Sequence, residues 1–144
     1  MIYNKKFYDA QCEGSCKSAS VIVPIVLKAL VDEPESIVDF GCGTGSFLNE
    51  FKAALPNCEI KGMDFGEVSS NLLISPDEFS RVDLSEKCNL GKKYDLCISL
   101  EVAEHIEEDR ADLFIDNLCD ASDVILFSAA LPKQGGVDTL TSKK

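Results

Sequence analysis

The chain is short of positive charge, of histidine and of long apolar runs, and each shortage excludes something. Its 144 residues carry 14 Lys and Arg against 25 Asp and Glu, a formal net charge of −11. A chain that acidic is repelled by phosphate backbones and anionic membrane surfaces, so no nucleic acid is expected through a basic patch, and no membrane. One histidine, His105, and scattered acids do not make a metal-ligand set. Cys12 and Cys16 have three residues between them and no second pair, so no metal is expected. The most apolar segment, Ala19 to Val31, is broken by Ser20, Pro24 and Lys28 and is no membrane span. Two lysines near the amino terminus are not followed directly by an apolar stretch, so no secretory signal is read there. Seven cysteines, an odd number lying mostly in apolar segments, fit small buried hydrophobes in a reducing compartment. A soluble, cytoplasmic protein is expected, with residues 1–144 forming a single domain around one core.

What is present is an alternation of two segment types. Ser36–Phe40 is a β-branched run that stops at glycine, and Phe47, Leu48, Phe51, Ala54 and Leu55 then recur at helical spacing until Pro56-Asn57. Further strands are expected over Cys58–Met63, Phe79–Val82, Tyr94–Ser99 and Asp123–Phe127. The last is almost wholly apolar, as buried parallel strands tend to be. A helix is expected over Ser18–Val31, with Pro24 in its first turn or at a kink. Another segment shows one apolar face at Ile106, Leu113, Phe114, Asn117 and Leu118. Eight acids and one arginine between Glu101 and Asp120 leave its other face solvated. Asn71–Glu78 reads as an irregular loop, and the residues after Pro132 have little to bury, with 137–144 a frayed tail. This alternation predicts an α/β fold, an open parallel sheet with helices on both faces.

The most informative stretch is Val38 to Phe47, where the first strand turns into a helix, the place from which such sheets bind ligands. Its glycines, Gly41, Gly43 and Gly45, allow close approach to the main chain, and the helix start offers free N–H groups to an anion. A dinucleotide loop would carry glycine or alanine three places after Gly43. Ser46 stands there instead, which disfavours a nicotinamide cofactor. A tight turn without a ligand is the alternative. Nineteen residues after Gly45, Asp64 ends the second strand, where a carboxylate can accept hydrogen bonds from both hydroxyls of a ribose. Asp83 ends the third strand in the same way. It is suited either to an exocyclic amine of a purine, with Phe65 and Leu84 as apolar neighbours, or to an ordinary cap.

These residues resemble the class I S-adenosylmethionine-dependent methyltransferases. Asp39-Phe-Gly-Cys-Gly-Thr-Gly45 looks like their first motif and Gly62-Met-Asp64 like the acidic end of their second strand. Val82-Asp-Leu84 resembles their adenine-side motif, and Tyr94 through Ile106 their fourth strand and its exit loop. Ile125 through Gly136 resembles the fifth strand and exit loop of one bacterial branch, mostly of unassigned substrate. The resemblance implies a Rossmann-like sheet of strand order 3-2-1-4-5 with S-adenosylmethionine as cofactor. The implied contacts are Asp39, the loop glycines, Asp64, Phe65, Asp83, Leu84 and Leu100. The family's sixth strand and antiparallel seventh are missing from this sequence, and so are the His and Asn that typically follow the Gly-Gly in that branch. The chain is then naturally short or truncated, and its fifth-strand edge is left to seek a partner, which motivates a homodimer.

Methyl transfer is an in-line displacement that depends on positioning, with a base where the nucleophile carries a proton. His105, just after the fourth strand, is the candidate base, or else it packs or caps a helix start. Glu101 stands beside the same site as a contact or structural residue rather than the base. Residues 1–15, around Phe7-Tyr-Asp-Ala-Gln11, are suited to a lid, or else to a loose leader. The expected activity is methyl transfer to a small-molecule substrate. The alternative is a cofactor-binding but catalytically incomplete domain that serves as a partner subunit.

Overall fold

The structure, a computed structural model, describes residues 5–66 and 71–131. Five parallel strands form one sheet: β1 (Ser36–Phe40), β2 (Glu59–Asp64), β3 (Phe79–Arg81), β4 (Leu96–Leu100) and β5 (Ile125–Ser128). Their order is β3-β2-β1-β4-β5, the arrangement that the resemblance implies. Central β1 pairs Ile37–Asp39 with Leu96–Ile98 on one side and Ser36–Phe40 with Glu59–Met63 on the other.

Strand alternation sorts the side chains into two cores. Ile37, Ile60, Leu96 and Ile98 pack on one face with Ala19 and Val23 of α1 (Lys5–Ala29) and Leu48 and Phe51 of α2 (Ser46–Ala54). Val38, Phe40, Met63 and Cys97 pack on the other with Phe114, Leu118 and Ala121 of α3 (Ala111–Ala121). The Phe114 ring meets Phe40 edge to face, with centroids 6.4 Å apart and planes at 81°. Truncating either ring to alanine removes a packed aromatic and costs about 3–5 kcal/mol.

Several boundaries differ from the sequence expectation. The first helix begins at Lys5 rather than Ser18, so residues 5–15, read as a lid, form its opening turns, and Pro24 lies in its interior. Residues 1–4 and the tail over 137–144 lie outside the described residues. Between Asn71 and Glu78 a 3-10 turn, Pro76–Glu78, is set by a reciprocal cap. The Ser75 side chain accepts from the Asp77 N–H, and the Glu78 carboxylate accepts from the Ser75 N–H. The strand expected from Tyr94 starts at Leu96, and Tyr94 makes only an isolated bridge to Ser122. The apolar β5 is only half-buried, with Phe127 46% exposed. Among the described residues it pairs with β4 alone.

Candidate functional site

A cavity of about 920 Å³ lies at the carboxyl ends of the strands. Each strand or its exit brings something to it: Asp39 and the glycine loop from β1, Asp64 and Phe65 from β2, and Asp83 and Leu84 after β3. Leu100, Glu101 and His105 come from the end of β4, and Leu126, Phe127 and Ser128 from β5. Of the residues expected from the sequence, all but Gly45 lie on its wall. Gly45 sits behind the wall, where a Cβ would come 3.1 Å from Ile74, and it begins α2 by accepting the Asn49 N–H at 2.8 Å.

The loop takes its shape from three positive-φ glycines and from β2. Gly41, Gly43 and Gly45 have φ of 92°, 56° and 90°. The Met63 carbonyl accepts N–H groups from Gly41 and Cys42, at 2.7 and 3.0 Å. Asp64 completes the clasp: its carboxylate accepts from Gly43 at 2.8 Å and from Gly66 at 2.9 Å. Gly41 is needed for space as well as for φ, since a Cβ there would lie 2.4 Å from Val102 Cγ2. At Gly43 a Cβ would meet nothing within 4 Å, so the absent side chain leaves open room on the cavity wall.

Asp39 is 4% exposed and lies on the cavity wall. Burial, and then the negative charge of Asp64, push its carboxyl up to about 8. Asp83 lies two residues beyond β3 rather than at its end. Its carboxylate accepts the Ser85 hydroxyl and N–H at 2.6 and 3.0 Å, and these bonds hold its pKa below the usual carboxylate range. This is a local turn of the kind weighed for it, and it still faces the cavity.

At the β4 exit, Glu101 has φ 58°, unusual for a residue with a side chain. It is tied to β5 twice: its N–H donates to the Ser128 carbonyl and its carboxylate accepts the Ser128 hydroxyl, both at 2.9 Å. His105 closes a 3-10 turn, Ala103–His105, and its imidazole is 74% exposed with Glu104 Oε2 4.0 Å away. Glu104 turns inward instead, and its Oε1 is buried with no partner among the described residues. The sequence reading missed Ser15, Ser18 and Ile22 of α1, Glu107, and Phe127 and Ser128 on the wall. The spacing of Ser18 and Ile22 on one helix face was visible, but nothing in their chemistry pointed to a site.

A parallel sheet in the order 3-2-1-4-5, with a glycine loop leaving its central strand and acids at the neighbouring strand ends, is the Rossmann-like architecture of the class I methyltransferases. The chain belongs to the family described as "Methyltransferase domain", which matches residues 17–128. No curated protein matches it. Solved structures do. The plantazolicin methyltransferase BpumL, in complex with a monoazolic desmethylPZN analog and SAH, is 23% identical with a TM-score of 0.59, over 80% of this chain and 46% of that one. Human N-acetylserotonin methyltransferase in complex with SAM is 18% identical, TM-score 0.62, over 83% and 36%. An O-methyltransferase family protein from Burkholderia thailandensis is 14% identical, TM-score 0.62, over 83% and 39%. The chain thus spans less than half the length of each of these structures. Among the described residues no helix is long and apolar enough to cross a membrane.

Proposed function

We propose that this chain is a methyltransferase domain that binds S-adenosylmethionine and methylates a small-molecule acceptor. The observation that carries the reading is the junction of Gly43 and Asp64. A side-chain-free loop position with open room is hydrogen-bonded to a carboxylate on the same cavity wall. The residues fit the cofactor. Asp39, 4% exposed on the cavity wall, is suited to the ammonium of the methionyl part, and the loop leaves room for that part to approach. Asp64 has lone pairs left for ribose hydroxyls, and Asp83 and Leu84 suit an adenine. Phe65 and Leu100 add apolar wall on either side.

When bound, the cofactor supplies an electrophilic methyl on a cationic sulfonium; the acceptor's lone pair takes the methyl carbon and the carbon–sulfur pair leaves with sulfur. The chain's own task is to orient, and to remove the acceptor's proton where there is one. His105, exposed at the β4 exit, is the candidate base, and Glu101, anchored by Ser128, shapes that end.

Calorimetric titration with S-adenosylmethionine and S-adenosylhomocysteine tests the reading. Micromolar binding that is lost in Asp64→Ala supports it, and no binding to the folded protein overturns it.

The same reading extends to a homodimer through β5. Val124 to Leu131 carries no charge, so an antiparallel copy would set no like charges opposite each other. Sedimentation of a single-chain mass at micromolar concentration would remove the dimer.

A further inference from the structure

The Phe65 ring stands on the cavity wall, is 58% exposed and belongs to neither apolar core. A large apolar group left in water on a concave surface is one that a ligand can cover. Its backbone is held on both sides. The Asp64 carbonyl accepts the Val82 N–H at 2.9 Å, and the Asp64 carboxylate accepts the Gly66 N–H at 2.9 Å.

The remaining ties come from one side chain of β3. Arg81 stands opposite Asp64 in the sheet register, is exposed, and does not line the cavity. Its Nε–H donates to the Phe65 carbonyl at 3.0 Å, and its guanidinium carbon lies 5.6 Å from the centroid of the Phe65 ring. Within about 6 Å a guanidinium is attracted to an aromatic face. The same planar fork can hold a carbonyl through one N–H and lie over a ring, which an ammonium cannot do.

We infer that Arg81 is a positioning residue for the cofactor, holding the Phe65 ring ready as the surface on which the adenine stacks. This rests on the methyl-transfer reading given above. An exposed ring gives up torsional freedom when a base settles on it, and a ring already held gives up less, so the holding contact adds affinity without touching the ligand. Arg81 acts here through Phe65. Its charge alone works the other way, since S-adenosylmethionine carries a net positive charge and is repelled by a nearby cation.

That difference of sign makes the test. Calorimetric titration compares S-adenosylmethionine with S-adenosylhomocysteine, which has no net charge, on the native protein, Arg81→Met, Phe65→Leu and the double variant. Arg81→Met should weaken both ligands by about three- to tenfold. Arg81→Lys should recover only part of that loss. In the Phe65→Leu background, which keeps an apolar side chain but no ring, the effect of Arg81→Met should shrink to within about twofold. Melting temperatures should stay near native throughout, because both side chains are exposed. Unchanged affinities in Arg81→Met, tighter binding of S-adenosylmethionine alone, or an equal loss in the Phe65→Leu background would overturn the proposal. Absence of S-adenosylhomocysteine binding to the native protein would bring down the methyl-transfer reading and this proposal together, whereas native binding with no loss in Arg81→Met brings down this proposal alone.

Discussion

The carboxylate of Asp64, at the end of β2, accepts the backbone N–H of Gly43 at 2.8 Å, across twenty-one positions of sequence. One side chain therefore holds the glycine loop in place and stands on the cavity wall, so its two tasks can be separated by substitution. Asp64→Ala leaves the Gly43 and Gly66 N–H groups without their acceptor and should cost about 1–3 kcal/mol in denaturant unfolding. Asp64→Asn keeps one acceptor oxygen and should cost less. Both should bind S-adenosylmethionine at least about tenfold more weakly, since each loses the charged acceptor proposed for the ribose. Equal affinities for the Asn variant and the native protein would separate Asp64 from the ligand.

The glycines should divide between folding and binding. In Gly41→Ala the new Cβ collides with Val102 at a φ of 92°, and about 2–4 kcal/mol of stability should be lost. Gly43→Ala meets open space at a φ of 56° and should lose only about 1 kcal/mol. Its methyl would occupy the cavity, so cofactor affinity should fall while the melting temperature stays near native. Thermal melts and calorimetry on the two variants check the contrast.

Stability should depend on pH through Asp39. Its carboxyl is raised from 3.8 to about 8 by burial, so the native state keeps this proton where the unfolded chain has lost it. The contribution is full below 3.8 and is lost as pH rises through about 8. Asp39→Asn has no proton to lose, so its stability relative to native should rise between pH 5 and pH 8 by an amount of the order of a few kcal/mol. An ammonium bound beside Asp39 favours the carboxylate, so cofactor binding near pH 7 should release a proton. This would appear as a dependence of the calorimetric enthalpy on the ionisation heat of the buffer.

Thiol reactivity should follow burial. Burial pushes up the Cys42, Cys58 and Cys97 thiols, the last to about 12, and all three are enclosed in the fold. A disulfide reagent on the native protein should modify the exposed Cys119 quickly and spare these three until denaturant is added. Mass mapping of the labelled peptides gives the order.

The sequence was most legible where one residue type has one physical use. Glycines ending a β-branched strand, the acid closing β2 and the acid just beyond β3 marked the cavity, because positive φ leaves few substitutes for glycine. Glu101 was legible only by position. Nothing in its type announces its positive φ or its tie to Ser128, twenty-seven residues on. The contributions of Ser15, Ser18 and Ile22 were hidden for a similar reason. The helix was expected from Ser18, and which of its faces overlooks the cavity depends on how α1 packs against α2. Cys97, inside β4, conformed to the pattern of a small buried hydrophobe. The extent of β5's burial depended on its neighbours in the sheet, which no local pattern records.

The placement of β1 between β2 and β4 has a consequence for synthesis. Its second neighbour lies far along the chain, Ile37 pairing with Leu96. As the chain emerges from the ribosome, β1, β2 and β3 can pair early, while the future central strand waits with an apolar open side until β4 follows. Pairings of such high contact order form slowly and leave sticky surface exposed meanwhile. Nascent chains stalled before Leu96 should therefore be held by chaperones that recognise apolar segments.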